Sequence, residues 1–278
     1  MFHIVIVFFV LAFIQGVAEF LPISSSGHLA IFENLPAMKQ VLSGIGEENN
    51  LLINVALHVA TLVAVVIFLR KDILGLIKGF IFSIKNRDFK SYECRMALLL
   101  VIASIPAALV GIFLNDKIES IFGSPQIISV FLMINGIMLI LTKRIRVKSR
   151  KLEEMGFRQA LIAGICQGVA VMPGISRSGS TIAGSLLAGL SPEAAAKFSF
   201  LMSIPVILGA AVFEGKDAFS GNIEGSVWIA LLAAMVFAAV VAFFSVKVLF
   251  YAVKKVRLDV FGYYTLLAGA AFFAYFSL

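Results

Sequence analysis

The chain has 278 residues, 60% of them hydrophobic and only 14% charged, with a mean hydropathy of +1.02. A soluble domain carries nearer ~25% charged residues, so the composition excludes a soluble globular protein and specifies a polytopic membrane protein. The net charge of +7 does not indicate nucleic acid, because the basic residues cluster in short segments between apolar spans, where they set topology.

The N-terminus has no basic leader and no small-residue cleavage pattern, so the first residues are expected to be mature sequence. Residues 4–32 are apolar but interrupted at their middle by Pro, Gly and Ser. A helix needs ~20 apolar residues to cross hydrocarbon, and each half of this region is too short. Leu51–Leu69 is the first full span. Segment 70–95 carries seven Lys/Arg against three acids. Ala97–Leu114 and Pro125–Leu141 are the next spans, and segment 143–158 carries seven Lys/Arg against two acids. Residues 157–190 repeat the interrupted pattern. Three spans follow: Phe198–Phe213, Val227–Phe250 and Val260–Leu278.

The positive-inside rule assigns 70–95, 143–158 and loop 247–259, with Lys247, Lys254, Lys255 and Arg257, to the cytoplasm. Segments 33–50, 115–124 and 214–226 hold only Lys39, Lys117 and Lys216, and belong outside. With the sides so fixed, region 157–190 begins and ends inside, and region 4–32 begins and ends outside. Both read as re-entrant helical hairpins from opposite faces. Each precedes three spans, which inverts the second half. The expected fold is a single all-α integral membrane domain, 1–278. It is an inverted-topology repeat of roughly 1–145 and 150–278, with six transmembrane helices and two re-entrant hairpins. Eight full spans is the competing reading, and it puts loops on sides that disagree with their charge.

A sequence repeat marks both interrupted regions. Gln15-Gly-Val-Ala-Glu-Phe-Leu-Pro-Ile-Ser-Ser-Ser-Gly27 returns 152 residues later as Gln167-Gly-Val-Ala-Val-Met-Pro-Gly-Ile-Ser-Arg-Ser-Gly179. Eight of thirteen positions are identical, where average composition gives ~1 chance match. Glu19 faces Val171, Ser25 faces Arg177 and His28 faces Ser180. The halves therefore supply complementary parts of one site, which inverted repeats with broken helices place near the midplane.

The residue types point to an oxyanion site. Gln15 and Glu19 share a helix face, and an ionisable Glu in an apolar segment is a functional candidate by default. Together they offer hard oxygens suited to Mg²⁺ or Ca²⁺. Pro22 ends the first half-helix. Ser24, Ser25 and Ser26 then start the second half-helix, where Ser caps and free N–H groups bind anions. Ser176 and Ser178 do the same after Pro173-Gly174. Arg177 costs ~2.5–3.5 kcal/mol at membrane depth unless paired. It is either an ion-pair partner of Glu19 or a planar clamp on phosphate. His28 is a candidate nucleophile or acid/base; His58, in the first full span, ranks below it. Cys166 reads as a small core residue, and no metal-type Cys/His spacing exists.

These motifs resemble a known family. Gln15-Gly-Val-Ala-Glu19 through Pro22-Ile-Ser-Ser-Ser-Gly-His28 is similar to the (E/Q)xxxE…PxSS(S/T)GH motif of the bacterial undecaprenyl-diphosphatase (bacitracin-resistance) family. Pro173-Gly-Ile-Ser-Arg-Ser-Gly-Ser-Thr181 is similar to its PGxSRSxxT motif. The resemblance covers essentially the whole chain. It implies an integral-membrane hydrolase that converts undecaprenyl diphosphate to undecaprenyl phosphate and recycles the lipid carrier for peptidoglycan and other wall polymers. It also implies a divalent metal and a site opening to the outer face of the bacterial plasma (inner) membrane. Carried over, Glu19 is a metal or acid/base carboxylate with Gln15 beside it. Ser25 and His28 are the candidate nucleophiles. Arg177 binds the phosphates, assisted by Ser176, Ser178 and Thr181, with Ser24 and Ser26 at the first helix start. Gln15 stands where some members have Glu, which removes one charged ligand. A second copy of the chain is a further candidate partner. The competing function is a transporter or flippase of a phosphorylated lipid or small anion, because broken-helix inverted repeats are also a transporter architecture.

Overall fold

The computed structural model describes residues 2–146, 148–218 and 225–278. Among these it is all-helical, without a β-strand, in the order α1 (Phe2–Ala18), α2 (Ser25–Glu33), α3 (Pro36–Ser43), α4 (Glu47–Phe68), α5 (Arg70–Lys85), α6 (Tyr92–Phe113), α7 (Asn115–Phe122), α8 (Pro125–Leu141), α9 (Phe157–Val169), α10 (Arg177–Leu187), α11 (Pro192–Ala218), α12 (Gly225–Lys254) and α13 (Asp259–Ser277). Six helices, α4, α6, α8, α11, α12 and α13, are long and apolar enough to cross a membrane. They cover the six expected spans, short by one residue at Leu69, Leu114 and Leu278. The protein is a multi-pass membrane protein, and its outward surface fits one: large apolar side chains such as Ile229, Val236 and Leu267 are exposed along α12 and α13.

The connections depart from the expectation. Segments 33–50, 70–95 and 115–124 are not plain loops but carry α3, α5 and α7. In α5 the residues Leu74, Ile77 and Ile81 recur at helical spacing, which makes one apolar stripe between basic residues. The segment 247–259 is likewise mostly helix, since α12 continues to Lys254. Lysine is a good helix former, and its long stem carries the charge along an apolar surface without ending the helix. Part of segment 214–226 lies outside the described residues.

Between the spans, α1 and α2, and again α9 and α10, form two broken pairs. Helices α1 and α9 have only 17 and 13 residues, below the ~20 that cross hydrocarbon. Packing around them is reciprocal. Helix α1 lies on α12, and its repeat counterpart α9 lies on α6. A Cβ added at Gly16 would stand 2.8 Å from the Ala238 carbonyl oxygen, and one at Gly164 would stand 2.7 Å from that of Ala103. Helices α8 and α13 cross at their own glycines: a Cβ on either Gly136 or Gly262 would meet the other's carbonyl oxygen at 2.7 Å. Where lipid surrounds the helices, close backbone approach at small residues replaces hydrophobic burial as the source of packing energy.

Candidate active site

Two chain reversals build the centre. Residues 19–24 join α1 to α2, and residues 170–176 join α9 to α10. Pro22 cannot extend α1, and Ser24 and Gly174 turn the chain with φ of +70° and +100°. Left-handed backbone suits Gly174 and strains Ser24. Each reversal then starts a helix on a serine cap. Ser24 Oγ accepts the Gly27 N–H at 3.2 Å, and Ser176 Oγ accepts the Gly179 N–H at 3.1 Å. The two starts abut: a Cβ on Gly27 would lie 2.7 Å from Gly174 Cα, and one on Gly179 would lie 3.1 Å from Pro22 Cβ. Two helix N-termini, each with free N–H groups and a positive dipole end, therefore meet at one buried place.

Asn135 fastens the reversals together. It lies on α8, wholly buried. Its Oδ1 accepts the Ser176 N–H at 3.0 Å, and its Nδ2 donates to the Pro22 carbonyl at 3.1 Å. An amide in an apolar span is costly without partners, and that cost is the sequence signal for Asn135, which lies outside both motifs. Asn135→Leu keeps the branched shape and strands two buried backbone groups. It is expected to cost about 2–4 kcal/mol, read as a lower unfolding temperature in detergent, with turnover falling alongside.

The charged centre is Glu19, whose side chain is 5% exposed. One carboxylate oxygen, Oε1, pairs with Arg177 Nη2 across the two reversals. The other, Oε2, accepts from Ser25 Oγ at 2.7 Å and from Gln15 Nε2 at 3.1 Å. His58 Nε2 on α4 stands 3.7 Å from the same oxygen, while its Nδ1 donates to the Asn54 carbonyl at 2.8 Å. Glu19, Ser25, Gln15 and Arg177 are thus brought together, and His58, ranked low in the sequence, joins them. Two buried atoms of this group have no hydrogen-bond partner: Gln15 Oε1 and Arg177 Nη1. Among the described residues, no group of three or more His, Cys, Asp or Glu is placed to hold a metal ion. The hard oxygens present at the centre are those of Glu19 and Gln15. Gln167, the repeat partner of Gln15, instead donates to the Ala103 carbonyl at 3.3 Å and serves packing.

His28 faces elsewhere. Its Nδ1 donates to the Ser24 carbonyl at 2.8 Å, so its Nε2 accepts from Tyr264 Oη at 3.0 Å. Its ring stacks on Tyr264 of α13, with centroids 5.7 Å apart. Tyr264 is a partner that nothing in the sequence distinguishes from the other aromatics. The remaining serines are second in line. Ser26 Oγ lies 3.3 Å from Ser24 Oγ, and Ser178 Oγ lies 3.1 Å from Ser176 Oγ. Thr181 spends its hydroxyl on the Arg177 carbonyl at 2.8 Å and on Ser199 Oγ at 2.5 Å. It therefore braces the turn that carries Arg177 instead of facing the centre.

The family described as Bacitracin resistance protein BacA matches residues 8–271. A protein named undecaprenyl-diphosphatase from Methanosphaera stadtmanae is 41% identical over 270 residues, covering 94% of each chain. One of the same name from Halothermothrix orenii is 39% identical over 259 residues, covering 93% of each, and one from Alkaliphilus metalliredigens is 37% identical over 266, covering 94% of each. With the match running through both reversals and nearly every helix around them, the chain belongs to the bacitracin resistance protein BacA family.

Proposed function

We propose that this chain hydrolyses undecaprenyl diphosphate to undecaprenyl phosphate and inorganic phosphate, returning the lipid carrier to wall-polymer synthesis. One observation carries the reading: the Ser25 hydroxyl donates to Glu19, and Glu19 is paired with Arg177, where two capped helix N-termini meet. A hydroxyl beside a carboxylate base is an activated nucleophile. A guanidinium with one unpartnered N–H edge is a receptor for a phosphoryl oxygen. The relatives named undecaprenyl-diphosphatase support the substrate.

The reaction then runs with this chain's residues in distinct roles. The diphosphate head enters between the reversals while the isoprenoid tail stays in lipid. Arg177, through Nη1, and the N–H groups of α2 and α10 neutralise charge spread over the terminal phosphoryl. Such electrostatic positioning is most of the catalysis in phosphoryl transfer. Ser25 Oγ attacks the terminal phosphorus in line. Its proton passes to Glu19 and on to the departing undecaprenyl phosphate as the bridging P–O bond breaks. Water then attacks the phosphoserine, Glu19 takes its proton and returns it to Ser25 Oγ, and inorganic phosphate leaves. The orphaned Gln15 Oε1 and the neighbouring Glu19 carboxylate are hard oxygens that would hold a divalent cation, Mg²⁺ or Ca²⁺. Such an ion would neutralise diphosphate charge. His28, bonded to the Ser24 carbonyl, holds the strained reversal in place.

The short broken pairs, their reciprocal packing and the basic loops support an inverted-topology repeat with two re-entrant hairpins. The charge layout supports cytoplasmic basic loops, and the reading takes the protein to lie in the plasma membrane with its site opening to the outer face. The test is phosphate release from undecaprenyl diphosphate by purified protein in detergent, before and after chelation. Release that falls at least ~10²-fold on chelation and returns with Mg²⁺ or Ca²⁺ is the expected result. Binding of the lipid without release from folded protein points to transport instead.

A further inference from the structure

A cluster of lysines lies at the opposite end of the fold from the α3 and α7 connections. A groove of about 390 Å³ opens on the basic-loop face, where the ends of α4 and α12 meet the starts of α5 and α11. Lys197, Lys247 and Lys254 line it from two helices, and Phe68, Phe250 and Tyr251 form its apolar wall. Asp72 and Glu193 also line it: Lys197 Nζ is matched by Asp72 at 3.1 Å, whereas Lys254 Nζ meets Glu193 only loosely, at 4.0 Å with both side chains more than half exposed. Lys247 differs. It sits seven residues inside the end of α12, within a candidate span, which is ~10 Å along the helix axis. Among the described residues no carboxylate pairs with it. Its ammonium lies over the Phe243 ring, 4.4 Å from the centroid, and 5.6 Å from that of Phe244. An exposed lysine near the end of a span, without a carboxylate, carries its ammonium to headgroup depth, where an anion can meet it. Basic pockets between transmembrane helices on the cytoplasmic side are of the kind that binds anionic lipid headgroups.

We propose that this groove binds the headgroup of an anionic glycerophospholipid, with Lys247 on the phosphate and the aromatic wall against the upper acyl chain. The geometry commits to lipid because the wall is apolar and continuous with the membrane-facing surface of α12. The site is separate from the Glu19–Arg177 centre and does not depend on its chemistry.

The test is a native mass-spectrometry titration of the whole protein in detergent with phosphatidylglycerol, phosphatidylcholine or inorganic phosphate. The wild type is expected to bind phosphatidylglycerol over phosphatidylcholine. Lys247→Gln should weaken that binding about fivefold, and Lys247→Gln with Lys254→Gln about twenty-five-fold. Lys151→Gln, on the same face outside the groove, should change it less than about twofold. Retained monodispersity and unfolding temperature verify that each variant is folded, and Lys254→Gln alone replaces Lys247→Gln if it is not. The proposal is overturned by equal binding of both lipids, by an effect of Lys151→Gln as large as that of Lys247→Gln, or by unchanged binding in the lysine variants. Displacement of the lipid by millimolar inorganic phosphate would mark a free-anion site and overturn it equally.

Discussion

Arg177→Met is expected to lower turnover by about 10³–10⁵-fold, the range for an arginine that stabilises a phosphoryl-transfer transition state. The effect should fall on kcat as well as kcat/KM, because the charge it meets grows as the phosphoryl moves. Stability separates this role from a purely structural ion pair. Removing one partner of a buried pair strands the other, at about 3–5 kcal/mol, and Arg177 and Glu19 are such a pair. Both Arg177→Met and Glu19→Gln should therefore lower the unfolding temperature. The double variant, with both charges gone, should regain much of that stability and none of the activity. A double variant that recovers turnover would reduce the pair to scaffolding.

Ser25→Ala carries the second large effect. Its hydroxyl is 2.7 Å from Glu19, and losing the attacking atom should reduce kcat about 10³-fold or more. The fold should lose only a hydrogen bond to a charged acceptor, about 1.5–3 kcal/mol. His28→Ala gives the contrast. Both its ring nitrogens are engaged, by the Ser24 carbonyl and Tyr264. Its loss loosens the reversal but removes no attacking atom, so a smaller decrease, about 10–100-fold, is expected, and Tyr264→Phe should fall in the same direction. If His28→Ala is as inactive as Ser25→Ala, the assignment of the nucleophile is reversed.

Much of this arrangement was legible in the sequence because membranes make polar residues conspicuous. Glu19 and Arg177 stand out in apolar segments, and each is costly alone. The serines after Pro22 and Gly174 read as caps from local rules, and both caps form. The six spans follow from length and hydropathy. What was not legible depends on which helix lies beside which. Asn135 is 113 residues from Pro22 and 41 from Ser176 in the chain, and no local pattern joins them. His58 reaches Glu19 only because α4 packs beside the first reversal. Tyr264 meets His28 across 236 residues. Lys247 counts with the basic loop by its charge and with the span Val227–Phe250 by its place, and the helix continues beneath it to Lys254. Thr181 carries the motif yet turns its hydroxyl to the backbone behind Arg177, a direction set by the capped first turn of α10.

The most direct measurement of the central claim is an acid quench of the purified protein during turnover of undecaprenyl diphosphate labelled in its terminal phosphate. The expected result is label on the protein that is stable to acid, as a phosphoserine is, that maps to the peptide bearing Ser25 and that is absent in Ser25→Ala but present in His28→Ala. Acid-labile label that persists in Ser25→Ala and disappears in His28→Ala, or rapid phosphate release with no labelled protein at any quench time, would contradict it.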